Sequence, residues 1–283
     1  GPAQALSAYL GAVGARAPPL ACIAAAGPVV NGCVRLTNLA WTLSEIDLAR
    51  AFGFRTVRLL NDFEAVALAL PELCSGDRTV IAGPAPAPLG AGDVCLAVLG
   101  PGTGLGAAGY LRRNGVGHAL VSEAGHIGFA PEGARQQEVL RRLSERWPRV
   151  SVERLVSGTG IANVYGALAG AQVGVALPEP AALFRAGLDG SDPVAREAVD
   201  LFFEMLGQVA GDVVLALGAF DGLFLAGGVA QRHPEALASS AFRVAFERKG
   251  RHRALMERVP TCLITHRQPG LLGAAAGART LLR

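Results

Sequence analysis

The chain has 283 residues, of which 51% are hydrophobic and 17% charged, and a formal net charge of +3. That is enough chain and apolar content for one large α/β domain or two modest ones. A charge this small, with no basic run interleaved with aromatics, argues against a nucleic-acid partner.

The most apolar stretch, residues 213–230, is broken by Asp221 and several glycines, so no segment reads as a membrane span. The amino terminus lacks the basic-then-apolar pattern of a secretory signal. The expectation is a soluble cytoplasmic protein with no membrane partner.

Leu6, Tyr9, Leu10 and Val13 recur at three- and four-residue spacing and predict a helix over 3–15. Residues 20–26 read as a strand ended by Gly27-Pro28, and a second strand runs near 33–36. Ser44-Glu45-Ile46-Asp47 has the form of a helix start, a side-chain cap with an acid three residues on. Thr56, Val57, Leu59 and Leu60 suit a buried strand. After Asn61-Asp62, an Ala-rich run with Val66, Leu68 and Leu70 continues as a helix. Asp62 therefore falls near the carboxyl end of a strand, where open α/β sheets bind ligands. Either Asn61 or Asp62 also suits a plain helix cap.

Residues 80–92 read as a Pro/Ala/Gly-rich loop and the place for a change of domain. A strand over 94–99 runs into Gly100-Pro101-Gly102-Thr103-Gly104-Leu105-Gly106, and an Asn114-Gly115 turn then predicts a hairpin. Residues 134–147 form an amphipathic helix stopped by Pro148. Residues 193–217 form a long one with Val194, Ala198, Leu201, Phe202, Met205 and Val209 on one face. A buried strand over 223–226 opens into Gly227-Gly228. The chain closes with a strand over 262–265 and a helix over 269–282 with Pro269 in its first turn. Strands alternating with helices argue for α/β architecture, and the hairpins make its sheets mixed. Five widely spaced cysteines (Cys22, Cys33, Cys74, Cys95, Cys262), without Cys-x-x-Cys, read as buried free thiols and not as a zinc site.

Three motifs carry chemistry. Four glycines within Gly100 to Gly106 let backbone amides approach a phosphate, and Thr103 adds a hydroxyl. No Gly-Lys-Ser/Thr follows, so this is not a P-loop. Gly102-x-Gly104-x-x-Ala107 fits the looser dinucleotide pattern, with Glu123 some distance on. The Asn-Gly turn, however, leaves no room for the helix that pattern requires, and a phosphate-binding hairpin fits better. Glu123-Ala124-Gly125-His126 and the later Glu153 would supply the acceptors that grip a polyol; irregular spacing makes a poor zinc site of His126. Paired Gly227 and Gly228 would let a flat ring lie against the backbone, or simply form a tight turn.

Together these pieces resemble the bacterial ATP-dependent glucokinases, sugar kinases that share their fold with actin and Hsp70. The resemblance rests on Thr37-Asn38-x-x-Trp41, Leu60-Asn61-Asp62-Phe63, the Gly100 to Gly106 loop and Glu123-Ala124-Gly125-His126-Ile127-Gly128. It continues through Ser151-Val152-Glu153-Arg154, Phe224-Leu225-Ala226-Gly227-Gly228, Lys249-Gly250-Arg251 and Pro269-Gly270-Leu271-Leu272-Gly273, in the family's order over nearly the whole chain.

The resemblance implies a two-domain actin-like ATPase (ribonuclease H-like) α/β fold. Residues 1–72 with 268–283 would make the small domain and 73–267 the large one, with a cleft between. It implies that Asn61, Asp62, Glu123, His126 and Glu153 grip glucose, with Asp62 the base toward the 6-hydroxyl. Gly100, Gly102, Thr103 and Gly104 would meet ATP phosphates, and Gly227 and Gly228 would lie near adenosine. Mg²⁺ and a homodimer are implied likewise. The expected reaction is phosphoryl transfer from ATP to glucose, the first step of glycolysis; the alternative is a catalytically impaired sugar-binding regulator of the same fold. Two departures from the family stand out. Ala124 replaces a glycine, harmless unless it needs positive φ. The chain also starts after the family's glycine-rich Asp-x-Gly-Gly-Thr-Asn hairpin, so a truncated chain with exposed sheet edges is expected.

Overall fold

A computed structural model describes residues 1–14, 18–36, 39–90, 92–172 and 174–282. Among them, eleven strands form three sheets. Strand β1 (Leu20–Ala25) pairs in parallel with β5 (Thr56–Asn61), while β2 (Val29–Val30), β3 (Cys33–Arg35) and β4 (Thr42–Ser44) make a small antiparallel meander. The third sheet has six strands: β6 (Arg78–Ala82), β7 (Val94–Pro101), β8 (Leu105–Arg113), β9 (Val116–Ser122), β10 (Gly222–Leu225) and β11 (Thr261–Ile264). Their spatial order is β6-β11-β10-β7-β8-β9, with β10 parallel to β7 and β11 and the other pairs antiparallel. The architecture is α/β with mixed sheets, as the alternation of elements predicts.

The inner strands β7, β8, β10 and β11 of the six-stranded sheet are largely buried on both faces while the edge strands β6 and β9 are partly exposed, and the side chains divide by the period of two. Cys95, Ala97, Leu99, Leu223 and Leu225 face the long helix Pro193–Leu217. Leu96, Val98, Ala108, Phe224 and Cys262 face the helices Asp62–Ala69 and Pro269–Thr280. The second layer fixes the site. Helix Asp62–Ala69 is sandwiched between that sheet and the closing helix, which approaches so closely that a side chain at Gly273 would overlap the Ala65 carbonyl.

Long apolar-periodic elements fall where the sequence places them, including 193–217 to the residue, with Asp192 capping its first turn by accepting from the Val194 and Ala195 amides at 2.8 and 3.1 Å. Ser44 likewise caps Glu45–Phe52, accepting from the Asp47 amide at 3.3 Å.

Three expectations need correction. Residues 80–82 belong to strand β6 and not to a loop, because antiparallel pairing with β11 supplies hydrogen bonds that local propensity does not foretell. The glycine stretch is mostly strand: Gly100 and Pro101 end β7, Leu105 and Gly106 begin β8, and only Gly102-Thr103-Gly104 turns. Cys95 and Cys262 are buried, but Cys33 and Cys74 are exposed, on a two-sided meander and a loop that bury one face at most. Thr37 and Asn38 of the family motif lie outside the described residues.

Candidate active site

Strand β5 delivers Asn61 and Asp62 to the start of a helix, and the two divide the work. Asn61 is the cap: its Oδ1 accepts from the Phe63 and Glu64 amides at 2.8 and 3.2 Å, and Glu64 Oε2 accepts in return from the Asn61 amide at 3.2 Å. Its Nδ2 donates to the Gly27 carbonyl at 3.1 Å, pinning the turn after β1. With capping satisfied by Asn61, Asp62 at the first helical position keeps its carboxylate toward open space, Oδ1 accepting from the Phe63 amide at 2.9 Å. Burial pushes the Asp62 carboxyl above its ordinary value, against the lowering effect of the Phe63 amide. A carboxylate so placed is a better proton acceptor than an exposed one.

Opposite lie two further carboxylates and an imidazole. Glu123 follows β9 and His126 ends the 3₁₀ turn Ala124–His126. That turn packs so tightly that a Cβ at Gly125 would strike the Leu105 carbonyl. Ala124 does not have positive φ, since Asn31 and Asn114 are the non-glycine residues with positive φ among those described, so the family's glycine there is dispensable. Glu153 sits in the 3₁₀ turn Val152–Arg154, its backbone carbonyl accepting from Ser157 Oγ at 2.7 Å; Ser157 caps the helix Gly158–Leu168. Its Oε2 accepts from the Leu105 amide at 2.9 Å. His126 bridges the pair loosely, Nε2 4.0 Å from Glu123 Oε2 and Nδ1 4.0 Å from Glu153 Oε1. Those gaps are too long for hydrogen bonds and suit an intervening hydroxyl.

The turn Gly102-Thr103-Gly104 closes on itself through the Gly102 amide to the Gly104 carbonyl at 2.8 Å. The Gly158 amide donates to the Gly102 carbonyl at 2.7 Å. Gly102 has no atom within 4 Å of where a Cβ would stand, and Thr103 is exposed. Gly227, at φ +84°, packs on the Pro101 carbonyl and leads into the short helix Gly228–Arg232.

Asn61, Asp62, Glu123, His126, Glu153, Gly100, Gly102, Thr103, Gly104 and Gly227 all line one cleft of about 500 Å³; Gly228, next in the chain to Gly227, is not among the lining residues. Sequence reasoning missed two members of the site. Phe63 and the Gly27 turn also line it, and only the adjacency of Phe63 to Asp62 and the Gly-Pro pair hinted at either. Three carboxylates and, among the lining residues, no Lys or Arg make the cleft a poor host for bare polyphosphate and a good one for a neutral polyol.

The sequence matches the glucokinase family over residues 1–281. A glucokinase of Caulobacter sp. (strain K31) is 43% identical over 275 residues, 96% of this chain and 82% of that protein. Among solved structures, a glucokinase from an Antarctic psychrotroph superposes with a TM-score of 0.86 at 35% identity, covering 98% of this chain and 85% of the other. A ROK hexokinase from Thermus thermophilus shares the fold, with a TM-score of 0.67 at 22% identity over 99% of this chain and 85% of its own. These neighbours place the architecture among the sugar kinases of the actin-like ATPase fold.

Proposed function

The chain belongs to the glucokinase family, and from that premise we propose that it transfers the γ-phosphoryl group of ATP to the 6-hydroxyl of glucose with Asp62 as general base. The observation that carries this reading is the cap assignment: Asn61 satisfies the helix terminus, so the half-buried Asp62 carboxylate is left over, facing the cleft that Glu123, His126 and Glu153 line.

In the proposed reaction Asn61, Glu123, His126 and Glu153 hold the sugar hydroxyls, acceptors and donors in fixed places that a hydroxyl epimer would leave unpaired. Asp62 takes the proton of the 6-hydroxyl as that oxygen bonds to the γ-phosphorus, and the bond to the bridging oxygen breaks to release ADP. The Gly102, Thr103 and Gly104 backbone and hydroxyl meet the phosphates, with Gly227 and Gly228 beside the adenosine. Gly100 supports that turn from within the strand.

Mg²⁺ would enter on the nucleotide and neutralise charge on the phosphates. Among the described residues no three His, Cys, Asp or Glu side chains form a metal cage, and the ion would be held by substrate phosphates and water. Residues 1–72 with 268–283 and residues 73–267 are proposed as the two bodies that close on the substrates and shut out water. Cytoplasmic location and a homodimer belong to the same proposal. Family placement supports catalysis over the regulator reading.

The test is glucose-dependent ADP release by this chain with Mg²⁺, run beside mannose and galactose, together with calorimetric glucose titration of the chain and of Glu123→Ala. Saturable glucose binding lost in the variant, with ADP release on glucose, supports the reading. Binding without ADP release would leave a sugar-binding protein and overturn the catalytic assignment.

A further inference from the structure

Phe63, next to Asp62, lies at the junction of all three parts of the site. Its ring lies across the cross-strand pair Gly100 and Gly106 of the β7-β8 hairpin. A methyl at Gly106 would overlap the ring at Cγ, Cδ2 and Cε2; one at Gly100 would overlap it at Cζ and Cε1 and would also stand 3.2 Å from the Ala226 carbonyl carbon, just before Gly227. The ring is partly exposed to the cleft and partly packed in the core layer of Leu60, Val98 and Ala226. Nothing but hydrogen at the two glycine Cα atoms allows the ring to lie so close to the hairpin.

We propose that Phe63 is a positioning residue that sets the distance between the Asp62 carboxylate and the Gly102–Gly104 turn, and that Gly100 and Gly106 are glycine because this ring occupies their side-chain space. The inference rests on the functional reading above and deepens it. Gly102 is then the glycine free to meet phosphate, while Gly100 and Gly106 form a socket. The consequence is mechanical. Asp62, which opens the helix after β5, cannot shift without moving the ring, and the ring cannot move without leaving the socket. A carboxylate misplaced by about 1 Å costs on the order of 10²-fold in rate, so the wedge acts on turnover and not on affinity for either substrate alone.

The experiment is a size-exchange cycle on the full chain: Phe63→Ala, Gly106→Ala and the double variant, each measured for melting temperature, kcat and both KM values. Calorimetry would also follow glucose binding with and without a non-hydrolysable ATP analogue. The expected result is a kcat drop of about 10-fold or more in each single variant, with glucose and ATP KM within about 2-fold of the parent. The double variant, in which truncation at 63 removes the Cγ, Cδ2 and Cε2 atoms that the added methyl would overlap, should recover part of the loss in kcat and melting temperature. Phe63→Ala with unchanged kcat, or single-variant losses that simply add in the double variant, would overturn the proposal. A parent chain that fails to phosphorylate glucose would sink the functional reading instead. The melting-temperature cycle would then decide the socket by itself: additivity refutes it, and recovery in the double variant upholds it as packing while removing its catalytic meaning.

Discussion

The Leu105 amide donates to Glu153 Oε2 at 2.9 Å, so the first residue after the glycine turn orients a carboxylate of the proposed sugar site. Gly104 lies against the same carboxylate, and a Cβ there would displace it. Because a flexible side-chain end moves cheaply, Gly104→Ala should leave the melting temperature within a degree or two. It should still raise the glucose KM by about 10-fold, a loss of roughly 1.4 kcal/mol. Steady-state kinetics with glucose varied at saturating ATP check this, and an unchanged KM would remove Glu153 from the proposed sugar site.

Gly102 offers the complementary case. Its side-chain direction is empty of protein, so Gly102→Ala should fold as stably as the parent while raising the ATP KM several-fold, since the methyl would stand in the proposed path of the phosphate. Paired melting curves and ATP titrations test this. A variant with normal ATP KM would move the phosphate elsewhere.

Asp62→Asn should retain glucose binding and lose about 10² to 10⁴-fold in kcat. Burial raises the Asp62 pKa in the folded state, so the ionised form is disfavoured there relative to the unfolded chain. The sign follows. The penalty is fully present above the folded pKa, relieved as pH falls through it, and gone below the unfolded value near 3.8. Asp62→Asn should therefore melt higher than the parent at pH 7, with the gap closing on acidification, and kcat/KM of the parent should fall on an acid limb above the ordinary carboxylate range. Equal melting temperatures at pH 7 would contradict the buried-carboxylate argument.

Asn61→Ala removes a cap that serves two amides and strands the Gly27 carbonyl. Cap loss costs about 0.5–2 kcal/mol, and the orphaned acceptor adds about 1 kcal/mol. Chemical denaturation should show a loss of about 2 kcal/mol or more. Asn61→Asp, which keeps the cap and loses only the donor to Gly27, should fall between.

Thiol titration of the native protein should find Cys33 and Cys74 accessible. Cys95 and Cys262 are buried, and burial pushes the Cys22 thiol up to about 11, so these three should react only on unfolding. Rapid labelling of more than two thiols would show that the strands around Cys22 open readily.

What the sequence determined by itself was whatever repeats along the chain or is imposed within a few residues. The 193–217 helix is legible because apolar residues recur at helical spacing between an Asp cap and a glycine at φ +65°, although the fold buries fifteen of its residues, Met205 to Gly211 without a break. The Asn114-Gly115 hairpin is legible because its two positive-φ residues suit that turn. Asp62, Glu123, His126 and Glu153 stand out in the sequence by type and motif order, and the fold brings all four to one cleft. What only the tertiary structure decided lies between residues distant in sequence. Strand β6 exists because β11, about 180 residues away, pairs with it. Asn61 and not Asp62 takes the cap, a choice both side chains could make locally. Gly100 and Gly106 are separated from Gly102 in role by an aromatic ring about 40 residues upstream. Local propensity is written in neighbouring residues, whereas close contact between backbones depends on which segments the core brings together, and a glycine's own letter does not say what will occupy the space its side chain leaves.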